Sequence, residues 1–189
     1  SVHIDDVDAR QFNPMDLRRM VAYVPQSPTL FHGTIAQNLR FKDAIASDAE
    51  VVAAAERAGV LDMIEALPDG FETRVGDTAT ARLPSGLLHG ICLARAFISA
   101  SPIVLLDEPG STLDHAGDRK LMTQLKRLKG RQTVLMVSHR PSHIRLADKV
   151  LIIERGVVRF IGPPDEALAI AAARTSRAGE QGPRLEGSA

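Results

Sequence analysis

The chain has 189 residues and 44% hydrophobic content, enough for one domain with a real core. Its 23 basic and 23 acidic residues balance, which excludes the electrostatic footprint of a nucleic-acid binder. No apolar stretch approaches the length that crosses a bilayer, and no secretory pattern is read at its start.

In chain order, residues up to about 30 read as strands around a turn-rich stretch from Asp5 to Pro14. Pro14-Met15-Asp16-Leu17-Arg18-Arg19 is a short helical turn whose proline suits the first position. Val21-Ala22-Tyr23-Val24 is a short apolar strand that stops at Pro25 and then offers one amide, Gln26. Thr34 to Leu39, Asp48 to Ala58 and Val60 to Leu67 have helical composition and spacing, and Ser47-Asp48-Ala49-Glu50 is a capping-box start. A helix from about Gly86 to Ser99 closes this helical insert. It carries the single cysteine, Cys92, expected to be a small buried side chain in a reducing, cytosolic setting. A strand at Ile103 to Leu106, an amphipathic helix at Asp118 to Lys129 and a strand at Thr133 to Val137 come next. Lys149 to Glu154 and Val157 to Ile161 form a hairpin around Arg155-Gly156. Beyond about Ala173 the Arg, Gly, Ser and Glu content predicts a disordered tail, and no internal repeat is apparent.

The chemistry gathers at strand ends. Pro102-Ile103-Val104-Leu105-Leu106-Asp107-Glu108-Pro109 places two acids after four consecutive apolar residues, a run expected to be buried on both faces of a parallel sheet. At the carboxyl end of such a strand, adjacent Asp and Glu can hold a hydrated Mg²⁺ and take a proton from an attacking water. Ser138-His139-Arg140 follows a second apolar strand, where an imidazole is well sited to touch a terminal phosphate. Gln26, at the end of a third, can offer its carbonyl oxygen to Mg²⁺ or to the water. An acidic turn, a surface His and a solvated Gln are the ordinary readings of each alone. The ordered set is far more specific than any member.

With those residues in view, the chain resembles the nucleotide-binding domain of an ABC transporter of the exporter type. Tyr23-Val24-Pro25-Gln26 is similar to the family's Q-loop, and Leu30-Phe31-His32-Gly33-Thr34-Ile35-Ala36-Gln37-Asn38-Leu39 to the exporter segment after it. Thr73-Arg74-Val75-Gly76-Asp77 resembles the exporter X-loop, with Arg74 in place of its usual first acid. Asp107 and Glu108 match the Walker B aspartate and catalytic glutamate, Ser111 to Asp114 the D-loop, and His139 the switch histidine. The resemblance runs from about residue 1 to about residue 170. It implies an α/β fold: a partial RecA-like P-loop NTPase core with a parallel sheet and an inserted α-helical subdomain. The expected parts are core at 1–30, helical subdomain with the signature at 31–99, core at 100–172 and the tail at 173–189.

Two departures accompany the match. No G-x-x-x-x-G-K-[ST] occurs, and no Gly precedes a Lys, so the chain is expected to begin downstream of the phosphate loop. The family's signature, L-S-G-G-Q, is here Leu83-Pro84-Ser85-Gly86-Leu87. Pro84 removes a hydroxyl and a backbone N–H, although a proline at a helix start is structurally sound. Ser85 and Gly86 take up the lost contact only after a one-residue shift, which turns the helix by about 100°.

By resemblance, ATP and Mg²⁺ are the cofactors: Asp107 and Gln26 serve the metal, Glu108 polarises the attacking water, and His139 contacts the γ-phosphate. Asp114 reaches across a dimer with a second nucleotide-binding domain, identical or different. Thr34 to Asn38 and Thr73 to Asp77 face a transmembrane domain fused upstream, which puts the chain at the cytoplasmic face of the inner membrane. Three functions compete. A transport ATPase fits the exporter-like segments. A DNA-maintenance ATPase would need a long coiled coil between Gln26 and Leu83, where only short helices are read. A non-hydrolysing regulatory module fits Pro84 and the missing loop but not Glu108 and His139.

Overall fold

The structure is a computed structural model that describes residues 1–76, 83–98, 101–111 and 113–180, without the side chains of 174–180. Asp77, Thr112 and the end of the tail at 181–189 lie outside the described residues. Two compact units result, Ser1–Ser138 and His139–Ala189.

The first unit opens with β1 (His3–Ile4) and β2 (Val7–Asp8), a small antiparallel pair turned by Asp5 and Asp6 at positive φ. Helix α1 (Pro14–Met20) is capped by Asn13, whose side-chain oxygen accepts from the Met15 amide at 2.9 Å, with Pro14 at the first turn. Strand β3 (Val21–Val24) follows at once, then β4 (Gly33–Thr34) and α2 (Ile35–Leu39), whose Thr34 and Gln37 form a capping box. Helix α3 (Asp48–Arg57) starts at the Ser47–Glu50 capping box that the sequence predicts. Next come α4 (Leu61–Glu65), β5 (Arg74–Val75), α5 (Ser85–Ile98), β6 (Ile103–Asp107), α6 (His115–Leu128) and β7 (Thr133–Val137).

Strands β3, β6 and β7 make a parallel three-stranded sheet with β6 in the centre. One face presents Ala22, Val24, Val104 and Leu106, all buried, and α5 packs against β3, α2 and α3. Ile35, Leu39, Ile64, Leu87 and Ile91 complete this core. The sheet departs from the sequence expectation on its other face, where Leu135 and Val137 are 62% and 59% exposed and Tyr23 is exposed as well. An apolar run states that a strand prefers burial, not that the same chain covers both its sides. At the amino edge, the Lys42 ammonium donates to the Val21 carbonyl at 3.0 Å and to the Ser101 hydroxyl. Ser101 Oγ donates to the Arg19 carbonyl at 2.8 Å, and the Gln132 amide donates to the Ser101 carbonyl at 2.6 Å. Side chains thus fasten the starts of all three strands.

The second unit holds α7 (Pro141–Ile144), the antiparallel pair β8 (Val150–Glu154) and β9 (Val157–Gly162), and α8 (Pro164–Glu180). Arg155 and Gly156 both have positive φ, as a two-residue hairpin turn requires. Helix α8 packs on this hairpin through Ala167 and continues past Ala173, where composition predicts loss of order.

Candidate functional site

The register of the parallel sheet sets the site. Val24 pairs with Leu106, and Asp107 with Val137, so Gln26 and Glu108 each stand two residues beyond paired neighbours on adjacent strands. Glu108 has φ 45°, a left-handed conformation that costs about 1–2 kcal/mol for a residue with a Cβ. Its amide donates to the Val137 carbonyl at 2.9 Å, and its carbonyl accepts from the Ser111 amide at 3.0 Å. These bonds hold the turn that ends the strand. The chain then enters α6, whose N-cap is Asp114, its carboxylate accepting from the Gly117 amide at 2.7 Å.

The start of α5 adjoins this turn. A Cβ on Gly86 would lie 3.9 Å from Leu113 Cδ2, so Ser85 and Gly86 sit beside the residue that precedes Asp114. Pro84 lies just outside the helix, where its carbonyl accepts from the Leu87 and Leu88 amides at 2.9 and 3.0 Å. The first-turn amides of Ser85 and Gly86 have no intrahelical acceptor. Leu87 is 1% exposed and part of the core. His89, 5% exposed, places Nδ1 3.3 Å from the Ser85 carbonyl and hydrogen-bonds the Gln26 backbone. Burial lowers its pKa despite these two backbone contacts. A Cβ on Gly90 would lie 1.9 Å from Val60 Cγ1, so glycine is what admits the corner between α3 and α4.

The exporter-like segment and the X-loop-like segment are brought together by a pairing the sequence does not announce. Strands β4 and β5 are antiparallel neighbours, Gly33 opposite Val75 and Thr34 opposite Arg74. Asn38 fastens the segment: its Oδ1 accepts from the Phe31 amide at 2.8 Å, and its Nδ2 donates to the Phe31 and Thr34 carbonyls at 2.9 and 3.0 Å. Arg95 of α5 donates to the Asn38 carbonyl at 3.0 Å and to its Oδ1 at 2.9 Å. The same guanidinium lies 5.1 Å from the Phe31 ring and 5.8 Å from the Phe41 ring, which stack with centroids 4.2 Å apart. Burial lowers the Arg95 pKa, a cost these contacts offset.

Of the residues proposed from sequence, Gln26, Asp107 and Glu108 gather at one sheet edge, while Ser85, Gly86 and Asp114 gather beside it at two helix starts. His139 lies two residues beyond the end of β7 and opens the second unit. His89, Gly90 and the Asn38–Arg95 bonds were missed by sequence reasoning. Only Gly90 carries a signal, a glycine inside an apolar helix, which marks close packing.

The oxygen donors Gln26, Asp107 and Glu108 suit a hard divalent cation that completes its shell with phosphate and water. Among the described residues no cluster of three or more His, Cys, Asp or Glu makes a self-sufficient metal site. The sequence contains no glycine-rich loop with a following Lys to cradle phosphates. The residues present therefore fit the cation side of a nucleotide site and not the phosphate cradle.

Comparison with known proteins bears on the family. The family model for ABC transporter matches residues 1–111. ATP-binding cassette sub-family B member 6 of Mesocricetus auratus is 37% identical over 157 residues, covering 83% of this chain and 18% of that protein. Multidrug resistance protein homolog 65 of Drosophila melanogaster is 38% identical over 170 residues, covering 90% and 13%. ATP-dependent lipid A-core flippase 1 of Colwellia psychrerythraea is 35% identical over 155 residues, covering 82% and 26%. This chain thus spans about a quarter or less of each relative. A solved structure of a bacterial Atm1-family ABC exporter with ATP bound matches with a TM-score of 0.83 and 28% identity, over 98% of this chain and 32% of that one. Both the ordered strand-end residues and these likenesses lead to one assignment: the chain belongs to the ABC transporter family.

Proposed function

We propose that the chain is part of the nucleotide-binding domain of an exporter that couples ATP hydrolysis to transport across a membrane. The observation that carries this reading is the alignment of Gln26, Asp107 and Glu108 on adjacent parallel strands of a family member. When bound, Mg²⁺-ATP supplies the phosphoanhydride that is cleaved. Asp107 holds the cation through water, and Gln26 offers its amide oxygen to it. Glu108 accepts a proton from the attacking water on a carboxylate oxygen. His139 donates a hydrogen bond to the γ-phosphate, and Asp114 reaches the second nucleotide-binding domain. The segments at Thr34 to Asn38 and Thr73 to Asp77 face the transmembrane domain, at the cytoplasmic side of the inner membrane. Exposed Phe31 and Phe41 support that contact.

In the family each composite site joins the acids of one subunit to the signature of the other, so Glu108 and Pro84 serve different sites. A homodimer would carry two impaired sites. A heterodimer would carry one impaired site and one in which Glu108 meets an intact signature, and retention of Glu108 and His139 favours this arrangement. The alternative is a non-hydrolysing regulatory module, favoured by Pro84 at the start of α5.

Titration of a fluorescent ATP analogue with Mg²⁺ tests the first reading. The 189-residue chain alone is expected to show no micromolar binding, because it lacks the phosphate cradle. Micromolar binding that disappears in Asp107→Ala would refute that expectation. ATPase rates of a longer protein containing this chain, alone and mixed with its partner, separate the two functions: turnover only in the mixture supports the heterodimer, and none in either supports the regulatory module.

A further inference from the structure

The first unit contains a partly open cavity of about 400 Å³ that borders the proposed nucleotide site at Ser85, Gly86 and Asp114 and extends away from it between the helices. Its volume falls within the range of small-molecule sites. Val24, Val60, Met63, Leu93 and Leu121 supply apolar wall, from β3, the α3–α4 corner, α4, α5 and α6. Two charged side chains line it, Asp114 and Lys120. They are not equivalent. One Asp114 oxygen already accepts from the Gly117 amide, and its charge sits at the N-terminus of α6, where the helix dipole compensates it. Lys120 makes no ion pair or hydrogen bond among the described residues. Its stem passes the α3–α4 corner: a Cβ on Gly59 would lie 3.7 Å from Lys120 Cβ. The uncompensated charge the cavity offers an occupant is therefore a cation above an apolar wall.

We propose that this cavity binds a small amphipathic carboxylate, with its apolar body against Val60, Met63, Leu93 and Leu121 and its carboxylate on Lys120. Ser85 and Asp114 line the same cavity, so an occupant is wedged between the starts of α5 and α6 and sets their separation. Binding itself does not depend on the nucleotide reading.

Isothermal titration of the purified protein with decanoate, and separately with 1-decanol, tests the proposal. Decanoate is expected to bind with a Kd below about 1 mM. Lys120→Met should weaken decanoate about fivefold and leave 1-decanol unchanged. Ala116→Trp, an exposed cavity position on α6, should abolish binding of both ligands by filling the space. Absence of decanoate binding up to about 1 mM overturns the proposal. So does decanoate binding that neither substitution changes, since the ligand then lies on another apolar surface such as the open face of the sheet.

Discussion

The carboxyl end of β6 and the amino end of α5 lie beside each other and treat their motif residues in opposite ways. At β6 the packing is done by Val104 and Leu106, while Asp107 and Glu108 stay partly exposed beyond them. Chemistry and core are separated there. At α5 the residues of the first turns belong to the core: Leu87 is buried, Gly90 admits Val60, and His89 is enclosed against backbone. A position taken into packing cannot be made polar without a structural cost, whereas one that stands outside it can.

The largest expected effect tests the β6 side of this contrast. In an ATP-hydrolysing protein that contains this chain, Glu108→Gln should lower turnover by about 10²–10⁴-fold and leave Tm unchanged. Steady-state ATPase with a thermal melt measures both, and a large fall in Tm would show that Glu108 is structural. On the α5 side, Leu87→Gln should cost about 2–3 kcal/mol, because it buries an amide where a leucine packs. Pro84→Ser, outside the helix, should be neutral or stabilise by about 1 kcal/mol through a capping hydroxyl. Urea unfolding of the two single variants breaks the contrast if their order is reversed.

Gly90→Ala is expected to destabilise by about 1–3 kcal/mol, since its Cβ would overlap Val60 and outweigh the gain in helix propensity. In a Val60→Ala background the same change should become neutral or favourable, a coupling that a double-mutant cycle reads directly. The smallest effect concerns His89, whose pKa burial holds below its value in the unfolded chain. The unfolded state then takes up the proton first as pH falls below about 6.5, so the folded state loses stability in that window and recovers it as pH rises. Relative to the wild type, His89→Gln should lack this acid-side slope, a difference of about 2–4 °C in Tm or less between pH 7 and pH 5. Parallel melting curves would show that His89 does not titrate there.

Local rules made much of this fold readable. Period and composition give β3, β6 and β7, the Ser47–Glu50 cap gives the start of α3, and Arg155-Gly156 gives the hairpin turn. Residue types at strand ends also give Gln26, Asp107 and Glu108. What escaped the sequence depends on distant partners. The β4–β5 pair is two residues long, and α2, α3, α4 and a 3-10 turn at Gly70–Glu72 separate its strands. Asn38 and Arg95 carry no mark of their mutual bonds, because an Asn in a short helix is usually solvated. Likewise, the four-residue apolar run of β6 says nothing about whether its second face is covered. Beyond Ala173, the Arg and Glu in the content that suggests a tail are also good helix formers, and α8 continues to Glu180.

The fastening of the strand starts through Lys42, Ser101 and Gln132 has a dynamic consequence. Each of these side-chain clamps lies at the amino edge, while the bonds described at the carboxyl edge are those of the ladder, of the turn at Glu108 and of His89 to the Gln26 backbone. Opening fluctuations of the sheet therefore begin at the carboxyl edge, and amide exchange there should be faster than at Val21, Ile103 and Thr133. A group bound at that edge would slow exchange where the unliganded ladder is weakest, and the amino edge would register little of its arrival.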